Sequence, residues 1–443
     1  MKMPRKLLMT LLLSFIAPLI LLLPGARPDA PHAPLPWSGT AVSAAGQDGT
    51  WLMSGSVRAS DGRVVDHFGQ AAALHGNTAI IGAHTADIGG RNNQGAAYIF
   101  ERAPGGWREQ QKLSAADGAA DHYFGREVAI DGDTAIISGD HAAYVFVRLG
   151  DQWQEQQKLV SADGAWLDGG IALQGSTLIT GAPELNIGDN IRQGAAYVFV
   201  RGGGIWRQEQ KLVAGDGGDY GKFGNAVAMD GNTAIIGARG TPVAGDDGRG
   251  AAYVYTRSGS TWQQGQKLVV DPGDGFKGLG SSVALDGDTA VLGATGNGQA
   301  TWSAAYVFSR GGEGWQEQQL LLPSDWKDFD LFGYSTAVYK DTVIVGAPGL
   351  LFIYYDAGPG AVYIFRRGGD QWQEQQKLIV AGNGEAGDEF GLALAHYRYT
   401  LLIGAPSTDY HPALKPSVGR AYFYERWYEP RAFLPAIALP GGS

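Results

Sequence analysis

AAYVFVRLGDQWQEQQKL, residues 142–159, is the stretch that decides the architecture. An apolar run through Tyr144 and Phe146, a Gly-Asp turn, and a polar run opening on Trp153 read as two strands of a hairpin. The pattern returns. Tyr and Trp stand nine residues apart at Tyr98–Trp107, Tyr144–Trp153, Tyr197–Trp206, Tyr253–Trp262, Tyr306–Trp315 and Tyr363–Trp372. Seventeen residues after Trp comes Phe-Gly or its relic, at Phe68, Phe124, Phe223, Leu279 and Phe332, with Phe390 one step late and Leu167 three early. A strand, a tight turn and a second strand ending in Gly-Ala come after that. A repeat of about 40–60 residues with four short strands predicts a propeller blade. Seven such units predict an all-β fold, a seven-bladed β-propeller of four-stranded antiparallel blades over 51–426.

Composition agrees. The chain's 68 Gly, 11% aromatic and 18% charged residues suit short strands joined by tight turns. A net charge of −10 without a basic stripe argues against nucleic acid as partner. With no cysteine, stability must come from packing and ring closure rather than disulfides.

The first 50 residues read differently. Lys2, Arg5 and Lys6 precede an apolar run from Leu7 to Leu23, the shape of a secretory signal. Residues 1–26 are therefore expected to be a signal peptide, with cleavage as late as 44 also open, and 27–50 a Pro/Ala/Ser-rich linker. A secreted or cell-surface monomer with no stable membrane span after cleavage is the expectation. The tail, 427–443, is short and Pro-rich.

In the unit 223–268, FGNAVAM is expected to be the inner strand, TAIIGA the buried central one, and WQQGQKL the outer one, its Gln and Lys facing water. The repeated Trp is expected to wedge between blades. At the chain ends, nine steps past Tyr422 stands Arg431 instead of a Trp, while Trp51 precedes Phe68 by the usual seventeen residues with no blade before it. Trp51 to about Ala59 should therefore be the outer strand of the last blade, closing the ring from the N-terminus.

The Phe-Gly starts, together with Gly-Ala-Pro at 181–183, 346–348 and 404–406, resemble the FG-GAP repeat of the integrin α propeller and of bacterial surface proteins. The resemblance implies a propeller and an extracellular location. Integrin-type repeats carry a calcium loop in the first hairpin, whereas this chain has tight turns such as Gly76-Asn77 and Gly132-Asp133, too short to wrap an ion. No metal and no cofactor are expected.

GxSxG, HExxH and P-loop motifs are absent, so a non-catalytic protein is expected. Function should lie in what breaks the repeat. Second-to-third-strand loops such as 84–95, 183–194 and 406–419 share one face, and blade two has only Asp140-His141 there. Off-register aromatics Trp302, Trp326, Phe352, Tyr354 and Tyr355, with Phe329 and the acids Asp325, Asp328 and Asp356 nearby, are candidate ligand-binding residues, as is Trp166. A protein or glycan ligand is the expected partner: adhesion or protein interaction leads, a carbohydrate-binding propeller is the alternative, and a polysaccharide-processing enzyme stands third. His67, His84, His122, His141 and His411 gather in one sector, which leaves open a metal site or, more simply, scattered surface histidines.

Overall fold

The computed structural model describes residues 49–271, 275–296, 302–325, 330–349, 359–380, 388–406 and 418–426. Seven separate four-stranded antiparallel sheets follow one another around a ring. Blade two, for example, comprises Val128–Asp131, Thr134–Gly139, Ala142–Leu149 and Gln152–Leu159. Its second strand, TAIISG, is buried at every position, because a neighbouring blade covers each face. The first strands of successive blades touch in a closed circle and so surround the axis.

Seven apolar clusters each span two neighbouring blades. One joins Ile80, Ile99 and Leu113 of blade one to Tyr144, Phe146 and Trp153 of blade two. Each repeated Trp packs into the seam with the preceding blade, and Trp51, Trp153, Trp206, Trp262, Trp315 and Trp372 are all buried. The wedge expected from the repeat is what forms.

The outer strands carry a feature that their polarity conceals. Trp153 N–H donates to Gln111 Oε1 at 2.8 Å, and Gln111 Nε2 donates to Trp153 carbonyl O at 2.8 Å. The same two-bond clasp joins Gln157 to Trp206, Gln210 to Trp262, Gln266 to Trp315, Gln319 to Trp372 and Gln376 to Trp51. A β-bulge accompanies the glutamine: Ile99 pairs with Gln111 but Phe100 with Glu109, leaving Gln110 unmatched. These glutamines were expected to face water. Instead they satisfy backbone groups at the edge of the next sheet, which would otherwise lie open.

At the axis the blades meet through glycine. A Cβ on Gly82 would come within 1.9 Å of the Gly125 carbonyl O, and Gly125 itself sits at φ +95°. The glycines of Gly-Ala and Phe-Gly are thus the two sides of one backbone contact, repeated for example at Gly237–Gly280 and Gly346–Gly391.

The ring closes as the chain ends suggested. Trp51–Val57 pairs antiparallel with Arg420–Arg426 as the outer strand of blade seven, placing Trp51 opposite Arg426 and Val57 opposite Ala421. Arg102 of blade one meets Glu425 of blade seven at 3.1 Å across this seam. One clasp is missing here. Gly55 pairs with Phe423 at the register where Gln111 pairs with Ile99. Trp107 is consequently only half-buried, and its ring stacks on Phe423 with centroids 4.3 Å apart.

Gly55→Gln should therefore supply the seventh clasp and raise the melting temperature, by an amount equivalent to about 1 kcal/mol, while Gln210→Ala should cost roughly 1–3 kcal/mol in a denaturant titration. Deleting residues 51–60 should lower the melting temperature far more than either, since it bares the strand Arg420–Arg426. A truncated chain melting like the intact one would contradict the closure described here.

Candidate functional site

Among the described residues, the loop-rich end of the repeat breaks most at the seam between blades two and three. Gly-Ala at the end of the second strand becomes Ser138-Gly139. The second-to-third-strand loop shrinks to Asp140 and His141, whereas blades one, three and four have 84–95, 183–194 and 239–250. Those long loops end by bridging to the next blade's Phe position, as at Gly95–Phe124, Gly194–Phe223 and Gly250–Leu279. Blade two has no glycine bridge of this kind. The link reduces to Leu167 N–H donating to His141 O at 2.9 Å.

Both turn residues pay in backbone strain, with φ of 47° at Asp140 and 59° at His141. A tight hairpin there would favour Asn-Gly, and a side chain held left-handed costs on the order of 1 kcal/mol. The missing loop leaves a recess of about 40 Å³ on the loop-rich face, lined by residues including His122, Arg126, Asp140, His141 and Asp168. Trp166 stands beside it, stacked on the lining residue His141. The ring lies flat on His141, centroids 3.9 Å apart and planes 17° apart, with 54% of the residue exposed.

Several polar groups in this sector lack partners in the protein. Asp168 Oδ1, His122 Nδ1 and His84 Nδ1 are buried without a hydrogen bond. Burial raises the Asp168 carboxyl, with Arg126 opposing it. Burial lowers His84 to about 3, and His67 and Arg126 push the same way. Glu127 immediately precedes the innermost strand, at the register filled by Ala71, Ala226, Ser282, Ser335 and Ala393 elsewhere. Burial pushes its carboxyl up to about 7 against the pull of Arg126. By contrast, Asp140 is matched, by Lys158 at 3.0 Å and His122 at 3.6 Å.

Another cavity, of about 170 Å³, lies at the closing seam beside Gly76, Arg102, Tyr397 and Glu425. Its Arg102 and Glu425 are already ion-paired, so the recess with unmet polar groups is the better candidate.

The family model described as FG-GAP repeat matches residues 51–100, 107–146, 206–255, 262–308, 315–365 and 372–424. The chain belongs to the FG-GAP repeat family. Each matched segment begins at an outer-strand Trp, so the family's repeat runs across the clasped seam. No curated protein matches the chain. Among solved structures, one described provisionally as a 6-phosphogluconolactonase from Bacteroides uniformis is 11% identical, covers 70% of this chain and 85% of its own, and has a TM-score of 0.48. A chain of a mitotic checkpoint complex is 10% identical over 92% of this chain and 99% of its own, with a TM-score of 0.53. At such identity the likeness is one of fold alone.

Residues 147–205 of this FG-GAP propeller lie outside every matched segment, and Trp166 and Asp168 fall within them. Trp302 is exposed in blade five, with its ring 6.3 Å from that of Phe276. Trp326, Phe352, Tyr354, Tyr355, Phe329, Asp328, Asp356 and His411 lie outside the described residues. Asp325 is not a free loop acid: it accepts from Tyr363 Oη at 2.8 Å and Lys377 Nζ at 2.6 Å. Among the described histidines of this sector, His67 stacks on His84 at 5.3 Å and His141 on Trp166. Among the described residues no three His, Cys, Asp or Glu gather as a metal site. Asp168 and Glu127 were not singled out in the sequence, although both interrupt strand starts that carry small residues elsewhere.

Glu127 yields a pH signature. Its folded pKa stands above the ordinary 4.5, so between about 4.5 and 7 the native state holds a proton that the unfolded chain has released. Stability contributed by the neutral acid is present below that window and lost as pH rises through it. Glu127→Gln should therefore melt like the parent near pH 4.5 and above it by pH 8, by on the order of 2 kcal/mol, less than full linkage because the side chain is only half-buried. Calorimetry of both proteins across that range checks the difference, and parallel curves would place Glu127 in water.

Proposed function

We propose that this FG-GAP propeller is a non-catalytic binding module, exported or displayed at the cell surface, which captures an extracellular ligand through its loop-rich face. The observation that carries the reading is the recess between blades two and three. There alone among the seams with a described loop, the second-to-third-strand connection is reduced to two residues, and partnerless polar atoms collect beside an exposed Trp. Ligand sites favour such breaks in a rigid scaffold, where a concave surface and a few unmet polar groups coincide.

The fate of the carboxylates supports a binding rather than a chemical role. Asp61, Asp117, Asp163 and Asp325 each accept from a blade Tyr and the Lys paired with it, as Asp163 does from Tyr197 at 2.7 Å and Lys211 at 2.7 Å. Burial alone would raise Asp163, but these bonds outweigh it and hold the carboxyl at about 2. Such acids pin the connection between blades. They are not free to act as acid or base. The basic, apolar N-terminus and the absence of cysteine fit an exported chain.

The full chain, immobilised and presented with panels of extracellular proteins and glycans, tests this. Trp166→Ala should weaken the ligand it retains at least tenfold, about 1.4 kcal/mol, with an unchanged melting temperature. Arg398→Ala, on the opposite face, should leave binding intact. The reverse pattern would sink the proposal, and turnover of a bound oligosaccharide that Asp168→Asn abolishes would make the protein an enzyme instead.

A further inference from the structure

We infer that the recess between blades two and three is a saccharide subsite that takes a neutral sugar ring. The inference rests on the binding reading above and names its ligand class. Three features converge. Trp166 offers a flat, exposed apolar face held rigid from behind by His141. Asp168 presents a carboxylate oxygen that accepts no hydrogen bond from the protein. Arg126 is exposed and senses Asp168 without closing on it as an ion pair.

That last separation selects the ligand. The other acids of the recess are answered: Asp140 by Lys158 and His122, and Asp121 by the Asn93 amide at 3.0 Å. One carboxylate and one guanidinium remain, opposite in charge and held apart. A cationic side chain would suit Asp168 but meet Arg126, and an anion would suit Arg126 but meet Asp168. A polyol suits both, since a hydroxyl donates to a carboxylate and accepts from a guanidinium. The apolar C–H face of a pyranose meanwhile covers an indole, removing it from water. His122 Nδ1, also unpartnered and on a lining residue, supplies a further donor or acceptor.

The recess alone, at about 40 Å³, is too small for a ring, so the sugar lies on Trp166 with its hydroxyl edge directed inward. Such a shallow site favours terminal or exposed residues of a glycan over a buried small molecule.

The test is calorimetric titration of the full chain with methyl glycosides of glucose, galactose, mannose, fucose and N-acetylglucosamine, and with neutral oligosaccharides ending in them. At least one series should bind. Trp166→Ala should abolish that binding, Trp166→Phe should retain it within about threefold, and the isosteric Asp168→Asn should weaken it about tenfold or more. Arg398→Ala, on the opposite face, should leave it unchanged. An arginine-rich peptide that binds instead, and is lost in Asp168→Asn, would overturn the sugar in favour of a protein partner. If no neutral sugar binds while the protein panel still requires Trp166, this inference fails alone. If that panel also ignores Trp166, the binding reading fails with it. Melting curves of each variant exclude loss through unfolding, and Trp166→Phe keeps the comparison meaningful if the alanine variant does not fold.

Discussion

A glutamine side-chain amide bonding both backbone groups of the next blade's tryptophan is the interaction on which the ring depends. A four-stranded sheet has two apolar faces and two open edges, and a single blade can satisfy neither. The clasp from Gln111 to Trp153 secures the outer rim. The glycine contact from Gly82 to Gly125 lets backbones touch at the axis. A large indole between the outer strands and no side chain at all between the inner ones makes each seam a wedge. Repeated wedges of one angle close into a ring.

Two seams depart from this pattern, for different reasons. At the closing seam the strand supplied by the N-terminal segment carries Gly55 where the clasp belongs, and the junction relies on Trp107 stacking on Phe423 and on the Arg102–Glu425 pair. Strand pairing across the two chain segments does the rest. At the seam of blades two and three the outer clasp from Gln157 to Trp206 is intact, and the change lies at the loop-rich end. There the protein gives up a long loop and two familiar repeat residues. A rigid rim with a locally dismantled lip is a sound way to present a site, because the recess cannot collapse when the surrounding ring is fixed.

The acid-rich composition has a mostly structural meaning. Asp61, Asp117, Asp163 and Asp325, each following an outer strand, tie four of the inter-blade connections to a Tyr and Lys of the next blade, and the Lys ammonium also lies over the Tyr ring, as at Lys377 and Tyr363. Being exposed ion pairs, each contributes little alone. Repetition makes them a latch on the connections. The exceptions, Asp168 and Glu127, stand at repeat-breaking positions.

The blade count, strand order and ring closure were legible in the chain, because each rests on spacing: Tyr to Trp, Trp to Phe-Gly, and the unpaired Trp51 at the start. Periodicity also identified Trp153 and its equivalents as packing residues. It read the outer-strand glutamines as facing water. Only the neighbouring blade, whose sheet edge lies in that direction, turns Gln111 into a clasp. Asp325 likewise reads as a loop acid until Tyr363 and Lys377, distant in sequence, are seen to hold it. Trp166 was visible as an off-register aromatic, but its support by His141 and its place beside Asp168 and Arg126 were not. Spacing along one strand decides which face a residue occupies. What stands opposite across a seam depends on segments far apart in the chain, and that is decided only when the blades pack.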